Sequence, residues 1–173
     1  MKKQHIRGTT RVALRGITFF LSISLFISHC VLAVEPRVMR EGEMAPSFKL
    51  MNVQGKEIAL SDFHNKPVIL FFWATWCPYC TAELPYLQKQ YNDIKARGVE
   101  VLAIDINEPQ ERLEKFMDKH KVTLPVLIDK NNQVATLYKV VGIPTYVLID
   151  SAGKIRFHGN TLPSNYLQLL DFK

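Results

Sequence analysis

The chain has 173 residues, of which 47% are hydrophobic and 22% charged, a composition typical of one globular domain with a tail. Its formal net charge is +6, but the first 33 residues contribute +5 of this and contain no acidic side chain. The remainder carries 17 basic and 16 acidic side chains. Because nucleic-acid binding needs basic residues concentrated on the folded domain, the sequence indicates no nucleic-acid partner.

The N-terminus has the pattern of an export signal. Five basic residues precede residues 16–34, nineteen residues without a formal charge when His29 is neutral, and residues 31–33 offer a cleavage site. An uncleaved anchor is the alternative, because nineteen residues can just span a bilayer. We therefore predict an extracytoplasmic protein, located in the periplasm or at the outer face of the cytoplasmic membrane. It would contact the membrane only through this segment, and only if the segment is not cleaved.

Cys30 lies inside this leader, in a stretch that loosely resembles a bacterial lipoprotein motif with His29 where a small residue is expected. If the leader is removed, two cysteines remain, and both lie in the sequence CPYC. We assign residues 1–33 to the signal or anchor, residues 34–44 to a linker and residues 45–173 to one folded domain.

The sequence of residues 45–173 predicts short strands that alternate with helices. In chain order the predicted elements are a hairpin within residues 47–60 with its turn at Gln54 and Gly55, a buried strand at 68–73, a helix from about Cys77 to Gly98, a buried strand at 99–106, a surface helix at 109–120, a short strand at 126–128, a short helix at 133–138, a hairpin of strands 146–149 and 155–158, and a last helix at 163–171. Strands and helices that alternate and then end in a hairpin predict an α/β fold.

The pair Cys77 and Cys80 lies where the predicted strand 68–73 gives way to a helix. With Cys77 at the N-cap, Pro78 occupies the first helical position, where its missing N–H costs nothing. The free N–H groups of the first turn then point toward the Cys77 sulfur and favour its thiolate. Cys80, one turn further on, can close a disulfide with Cys77. This predicts a redox pair in which Cys77 attacks and Cys80 resolves the mixed disulfide.

Other roles of a C-x-x-C pair fit less well. A zinc site needs further ligands, and the sequence has no second C-x-x-C or H-x-H pair. Haem attachment needs a histidine where Thr81 stands. A purely structural disulfide closing so small a loop would restrain few unfolded conformations.

The segment APSFKLMNVQGKEIALSDFHNKPVILFFWATWCPYCTAELP resembles the TlpA/ResA group of exported thiol-disulfide oxidoreductases, thioredoxin-like proteins of the redoxin (AhpC-TSA) type. The resemblance continues through VEVLAIDI and VVGIPTYVLIDSAGKI. It implies a thioredoxin-like fold with a central mixed β-sheet flanked by helices, an N-terminal β-hairpin extension and a central insertion. It also implies an enzyme whose redox group is the Cys77–Cys80 disulfide, without cofactor or metal.

The resemblance implies roles for two residues of the Gly-Ile-Pro-Thr turn. Pro144 matches the family's cis-proline, whose loop lies opposite the redox pair. Ile143, the residue before it, would offer its backbone to an extended substrate, as an added strand does. Turn formation alone is the alternative role of Ile143.

Glu83 matches the family's active-site glutamate. Phe71 stands where thioredoxin has a buried aspartate, and its side chain cannot carry a proton. We therefore expect Glu83 to exchange protons with Cys80, directly or through water. A carboxylate that only stabilises the first turn of a helix is the alternative.

Trp76, Pro78 and Tyr79 surround the cysteines in sequence and are predicted to contact the substrate. Trp76 would shield the sulfurs and form part of a docking surface, with ordinary packing as its alternative role.

The predicted function is exchange of the Cys77–Cys80 dithiol with protein thiol or disulfide substrates. The resemblance implies reduction, for example of the haem-binding cysteines of apocytochrome c, with electrons from a membrane thiol donor. A low Cys77 pKa would instead stabilise the dithiol and favour oxidation of clients.

Two other functions remain open from the residues. A peroxiredoxin-like thiol peroxidase would fit residues 45–60, but Ala74 stands where its pocket needs a threonine. A non-enzymatic Cu(I)-binding module would use the two thiolates, although no Met or His is evidently placed to complete its site.

Overall fold

The computed structural model describes residues 38–170. Within them, seven β-strands form one sheet: β1 Lys49–Asn52, β2 Glu57–Ala59, β3 Val68–Trp73, β4 Glu100–Ile106, β5 Val126–Asp129, β6 Thr145–Ile149 and β7 Ile155–Gly159. Four α-helices lie in the same range: α1 Pro78–Ala96, α2 Gln110–His120, α3 Gln133–Leu137 and α4 Tyr166–Leu169. The predictions for the leader and for Cys30 lie outside the described residues.

The sheet is mixed, and β3 lies in its interior. The strand order is β2-β1-β5-β4-β3-β6-β7. Strand β3 pairs in parallel with β4 and antiparallel with β6, and all six of its residues are buried. A strand covered on both faces needs apolar side chains on both, which explains the unbroken apolar run of its sequence. The predicted α/β fold with a central mixed sheet is confirmed.

Hydrophobic side chains pack on both faces of the sheet. One core combines Ile69 and Phe71 of β3 with Leu84 and Leu87 of α1. The second, on the opposite face, contains Leu70 of β3 together with residues of α3. Because side chains pack on both faces of β3, the junction between the end of β3 and the start of α1 is supported by both cores.

The predicted N-terminal hairpin is confirmed. Strands β1 and β2 pair antiparallel, and β1 also pairs with β5, so the hairpin extends the sheet at one edge. Its turn is closed by Asn52, whose Oδ1 accepts hydrogen bonds from the N–H groups of Gln54 and Lys56 at 3.0 and 2.8 Å. Gly55 has a φ of +76°, a conformation that glycine adopts without cost.

Helix α1 has the predicted buried stripe. Leu84, Leu87, Tyr91 and Ile94 are buried, at spacings of three and four residues. The helix ends before Gly98, whose φ of +81° fits the predicted C-terminal position. Helix α2, strand β5 and helix α3 follow β4 and form the central insertion before β6.

The last helix is shorter than predicted. The sequence predicted a helix over residues 163–171, whereas α4 spans Tyr166–Leu169. The N–H of Tyr166 donates to the Pro163 carbonyl at 3.0 Å, so the residues from Pro163 form a turn before the helix. Across residues 38–170, no helix has both the length and the apolar character needed to cross a membrane.

Candidate active site

Cys77 and Cys80 form a disulfide at the N-terminus of α1, and their Cα atoms are 5.2 Å apart. Cys77 has extended backbone angles (φ −87°, ψ 111°) and Pro78 is the first helical residue, which confirms the predicted N-cap arrangement. The Cys80 N–H donates to the Cys77 Sγ at 3.2 Å. A thiolate at Cys77 would accept this hydrogen bond and would be favoured by the positive end of the helix dipole.

The two sulfurs differ in access to solvent. Cys77 is 4% exposed and Cys80 is fully buried. The neighbours of Cys77 are far more open, since Trp76 is 61% and Tyr79 77% exposed. Pro78 is exposed as well. An incoming disulfide can therefore reach only Cys77, through a small opening beside exposed aromatic rings.

The Pro144 loop lies directly opposite the redox pair. The Ile143–Pro144 peptide bond is cis, in agreement with the prediction. The Ile143 carbonyl oxygen lies 3.7 Å from the Cys77 Sγ. Asn160 Nδ2 donates to the Pro144 carbonyl at 2.7 Å and Thr145 Oγ1 donates to the Gly142 carbonyl at 2.6 Å. These hydrogen bonds hold the loop in place beside the sulfur.

Glu83 lies on α1, half-buried, and is held by a partner that the sequence did not suggest. The Tyr146 hydroxyl donates to Glu83 Oε2 at 3.1 Å. Tyr146 is buried on β6 and stacks on Phe71, with ring centroids 4.8 Å apart. Burial, and then the charge of Glu83, raise the pKa of Tyr146, so its hydroxyl stays protonated and remains a donor. The carboxylate is thereby held at Tyr146, which belongs to the same core as Cys80.

A second glutamate, the buried Glu108, holds the loop that leads into the redox pair. Glu108 Oε2 accepts a hydrogen bond from the Thr75 N–H and Glu108 Oε1 accepts one from the Thr75 hydroxyl, both at 2.6 Å. No motif in the sequence predicted this contact. A signal was present nearby: Asp105 is an acidic residue inside the apolar strand VEVLAIDI, and an acid buried in a strand needs a specific partner.

No group of three or more His, Cys, Asp or Glu side chains among residues 38–170 is arranged to hold a metal ion. Ala74, three residues before Cys77, is fully buried and has no hydroxyl to offer a peroxide. The chemical groups described at this site are the Cys77–Cys80 disulfide, the Glu83 carboxylate with its buried partner Tyr146, and the Ile143 backbone carbonyl.

The model of the AhpC/TSA family matches residues 42–158. The chain belongs to the AhpC/TSA family. Among curated relatives, the thiol-disulfide oxidoreductase ResA of Geobacillus thermodenitrificans is 35% identical over 158 residues, which are 90% of this chain and 88% of the relative. ResA of Bacillus subtilis is 42% identical over 115 residues, 66% of this chain and 64% of the relative.

Solved structures show the same architecture. The solution structure of a thiol:disulfide interchange protein from Bacteroides sp. has a TM-score of 0.66 at 28% identity, covering 76% of this chain and 87% of that chain. The crystal structure of StoA from Bacillus subtilis has a TM-score of 0.62 at 26% identity, covering 73% and 96%. The predicted thioredoxin-like fold is confirmed, and the chain is a thiol-disulfide oxidoreductase. Its redox group is its own cysteine pair, and the family acts without a bound cofactor.

Proposed function

We propose that this oxidoreductase acts outside the cytoplasm as a reductant of protein disulfides, with clients such as the haem-binding cysteines of apocytochrome c. The observation that supports the proposal best is the position of the Cys77 sulfur, which is the accessible one of the pair and faces the Ile143 carbonyl at 3.7 Å. The export-signal pattern of the leader supports the location, and the similarity to ResA proteins supports the type of client.

The reaction transfers two electrons and two protons from the dithiol to the client. The Cys77 thiolate attacks one client sulfur, a bond forms between the two sulfurs, and the client's own disulfide breaks to release a thiolate that takes up a proton. The Cys80 sulfur, after losing its proton, attacks the Cys77 Sγ. The Cys77–Cys80 disulfide forms, and the second client sulfur leaves as a thiol. A membrane thiol donor would restore the dithiol by the same exchange.

Glu83 is proposed to carry the proton of Cys80 during resolution. Cys80 is fully buried, so its proton cannot pass directly to solvent. Glu83 lies one helical turn further along α1 and is oriented by Tyr146. A half-buried carboxylate held by a buried donor can accept a proton and pass it toward solvent.

The client is proposed to bind across Trp76, Tyr79 and the Ile143 backbone. The two rings are exposed, and Val141 on the Pro144 loop is 80% exposed. An extended client segment can pair with the Ile143 backbone while the exposed rings cover its apolar side chains. Pro78 lies between the two aromatic residues in sequence and completes this surface.

The direct test is the reduction of a peptide that carries an oxidised C-x-x-C-H sequence by the reduced protein, with the equilibrium reduction potential measured in thiol buffers. We expect a potential nearer to that of thioredoxin, about −270 mV, than to that of the oxidant DsbA, about −120 mV. Cys80→Ser should accumulate a mixed disulfide with the client, and Cys77→Ser should accumulate none. A potential near the DsbA value would refute the reductant role.

A further inference from the structure

Glu108 links two loops that are remote in sequence. It lies between β4 and α2, is 4% exposed, and accepts both hydrogen bonds of Thr75 at 2.6 Å. Thr75 stands between the end of β3 and the redox pair, two residues before Cys77. The position of the Cys77 backbone is therefore tied to the Glu108 carboxylate. The charged partner of Glu108 is Arg112, whose Nη1 lies 3.7 Å from Oε1 and whose side chain is mostly exposed.

Asp105 is fully buried at the end of β4, opposite Trp73 of β3 in the sheet register. Val101 and Ala103 belong to the core that contains the cysteines, and alternation along β4 places Asp105 on that same face. No side-chain N–H or O–H group among the described residues donates to either carboxyl oxygen, although the Glu108 backbone N–H lies near enough to lower the Asp105 pKa. An ionised carboxylate buried with so few donors is strongly disfavoured.

A protonated Asp105 resolves this problem, because a carboxylic acid is itself a donor. Glu108 lies within hydrogen-bonding reach of it. Burial, and then the hydrogen bond to Glu108 and its negative charge, raise the pKa of Asp105 to about 8. A protonated Asp105 can donate a hydrogen bond to the Glu108 carboxylate, which in turn accepts the two hydrogen bonds from Thr75.

We propose that Glu108 is a positioning residue for the redox centre, anchored by Thr75 on one side and by the carboxylic acid of Asp105 on the other, and that its buried negative charge favours the disulfide over the dithiol. A negative charge near Cys77 disfavours the thiolate, and a dithiol with a less stable thiolate is the stronger reductant. This inference rests on disulfide exchange by Cys77 and Cys80 and deepens the proposed reductant role.

The arrangement also depends on pH. Above the pKa of Asp105 the hydrogen bond to Glu108 is lost and two negative charges face each other. The other charged groups that act on this pair are Asp129 at the end of β5, whose charge also raises the pKa of Asp105, and Arg112 on α2, which pairs with Glu108. From β3 the neighbour is Trp73, which does not titrate.

The test measures the pKa of Cys77 from thiolate absorbance and the equilibrium constant of the pair against glutathione. Glu108→Gln keeps one acceptor and one donor for Thr75 but removes the charge. We expect the Cys77 pKa to fall and the equilibrium to shift toward the dithiol by about three- to tenfold, which corresponds to half to one pKa unit. The matched control is Glu111→Gln, an exposed residue of α2 paired with Lys115, which should leave both values within about 1.5-fold of wild type because exposed charges are screened.

Two further substitutions distinguish a positioning charge from a general loosening of the fold. Thr75→Val removes one donor from the carboxylate and should raise the Cys77 pKa, the opposite sign to Glu108→Gln, while Thr75→Ser should restore the wild-type value. Asp105→Asn keeps a donor to Glu108 at every pH. At pH 7 its equilibrium constant against glutathione should equal that of wild type. Between pH 7 and 9 the constant of wild type should change further as Asp105 ionises, whereas that of the variant should lack this extra change.

The inference is overturned if Glu108→Gln leaves both the Cys77 pKa and the equilibrium constant at wild-type values, or if Glu111→Gln shifts them equally. Should Glu108→Gln not fold, equal Cys77 pKa values in Thr75→Val and Thr75→Ser would overturn it instead. Wild type is measured first in the same assay. Failure of wild type to reduce a client disulfide refutes the proposed function, whereas a normal wild type with an unchanged variant refutes only the role of Glu108.

Discussion

Replacing Asp105 by asparagine should change the way in which the stability of the protein depends on pH. Burial raises the pKa of Asp105 to about 8 in the folded protein, compared with about 3.9 in an unfolded chain. Between these two values the folded protein holds one proton more than the unfolded chain. The free energy of unfolding therefore falls as pH rises, and this contribution is fully present below about pH 4 and lost at about pH 8.

The size of the effect follows from the number of protons. One extra proton bound by the folded state changes the free energy of unfolding by about 1.4 kcal/mol per pH unit. From pH 5 to pH 7, wild type should lose about 2.7 kcal/mol through this group. The Asp105→Asn variant has an amide at this position and no proton to lose, so its free energy of unfolding should fall by about 2–3 kcal/mol less over the same range.

The assay is urea unfolding of the oxidised protein followed by circular dichroism at several pH values. Titrating groups remote from Asp105, such as His158 on β7, contribute equally to wild type and variant and cancel in the difference. Asp118→Asn, an exposed carboxyl on α2, is the control and should follow wild type. If wild type and Asp105→Asn lose stability in parallel between pH 5 and 7, the carboxyl is not protonated in the folded protein and the reasoning is wrong.

Further predictions concern the active site. In the reduced protein, iodoacetamide should modify Cys77 at least about tenfold faster than Cys80, because Cys80 is fully buried; equal rates by mass spectrometry would contradict this order of access. Trp76→Ala should slow reduction of a protein disulfide about tenfold while leaving reduction of a small aromatic disulfide within about twofold, since the exposed ring contacts only a large client. Tyr146→Phe removes the donor to Glu83 and should lower the free energy of unfolding by about 1 kcal/mol. It should also slow the release of the client from its mixed disulfide with Cys77. Unchanged release kinetics in this variant and in Glu83→Gln would show that Glu83 takes no part in the proton transfer. The reduced protein should consume hydrogen peroxide no faster than a free dithiol, because Ala74 provides no hydroxyl to orient the peroxide.

Local sequence predicted most of the fold because each signal depends on a few neighbouring residues. The apolar run of Val68–Trp73 indicated a strand covered on both faces, and all six residues are buried. Gly55 and Gly98 marked a turn and a helix end, where both have positive φ. The last helix was the exception, since the residues from Pro163 form a turn that the apolar spacing did not reveal.

The sequence also identified the residues that carry the chemistry, through a short motif and a family resemblance. Cys77, Pro78 and Cys80 lie within four residues of one another, so the N-cap geometry follows from local rules about proline and free N–H groups. The assignment of Pro144 came from resemblance alone, because local residues make a cis bond a minority outcome for any residue that precedes proline. The structure places its loop at the Cys77 sulfur.

The sequence by itself therefore determined where the disulfide lies and that a helix begins there, because those properties arise within one turn of the chain. Only the tertiary structure decided which groups surround it. Tyr146 reaches Glu83 across 63 residues and Glu108 reaches Thr75 across 33 residues. Such partners are set by the register of β6 and β4 against β3, and sheet register depends on packing of the whole core rather than on any short segment.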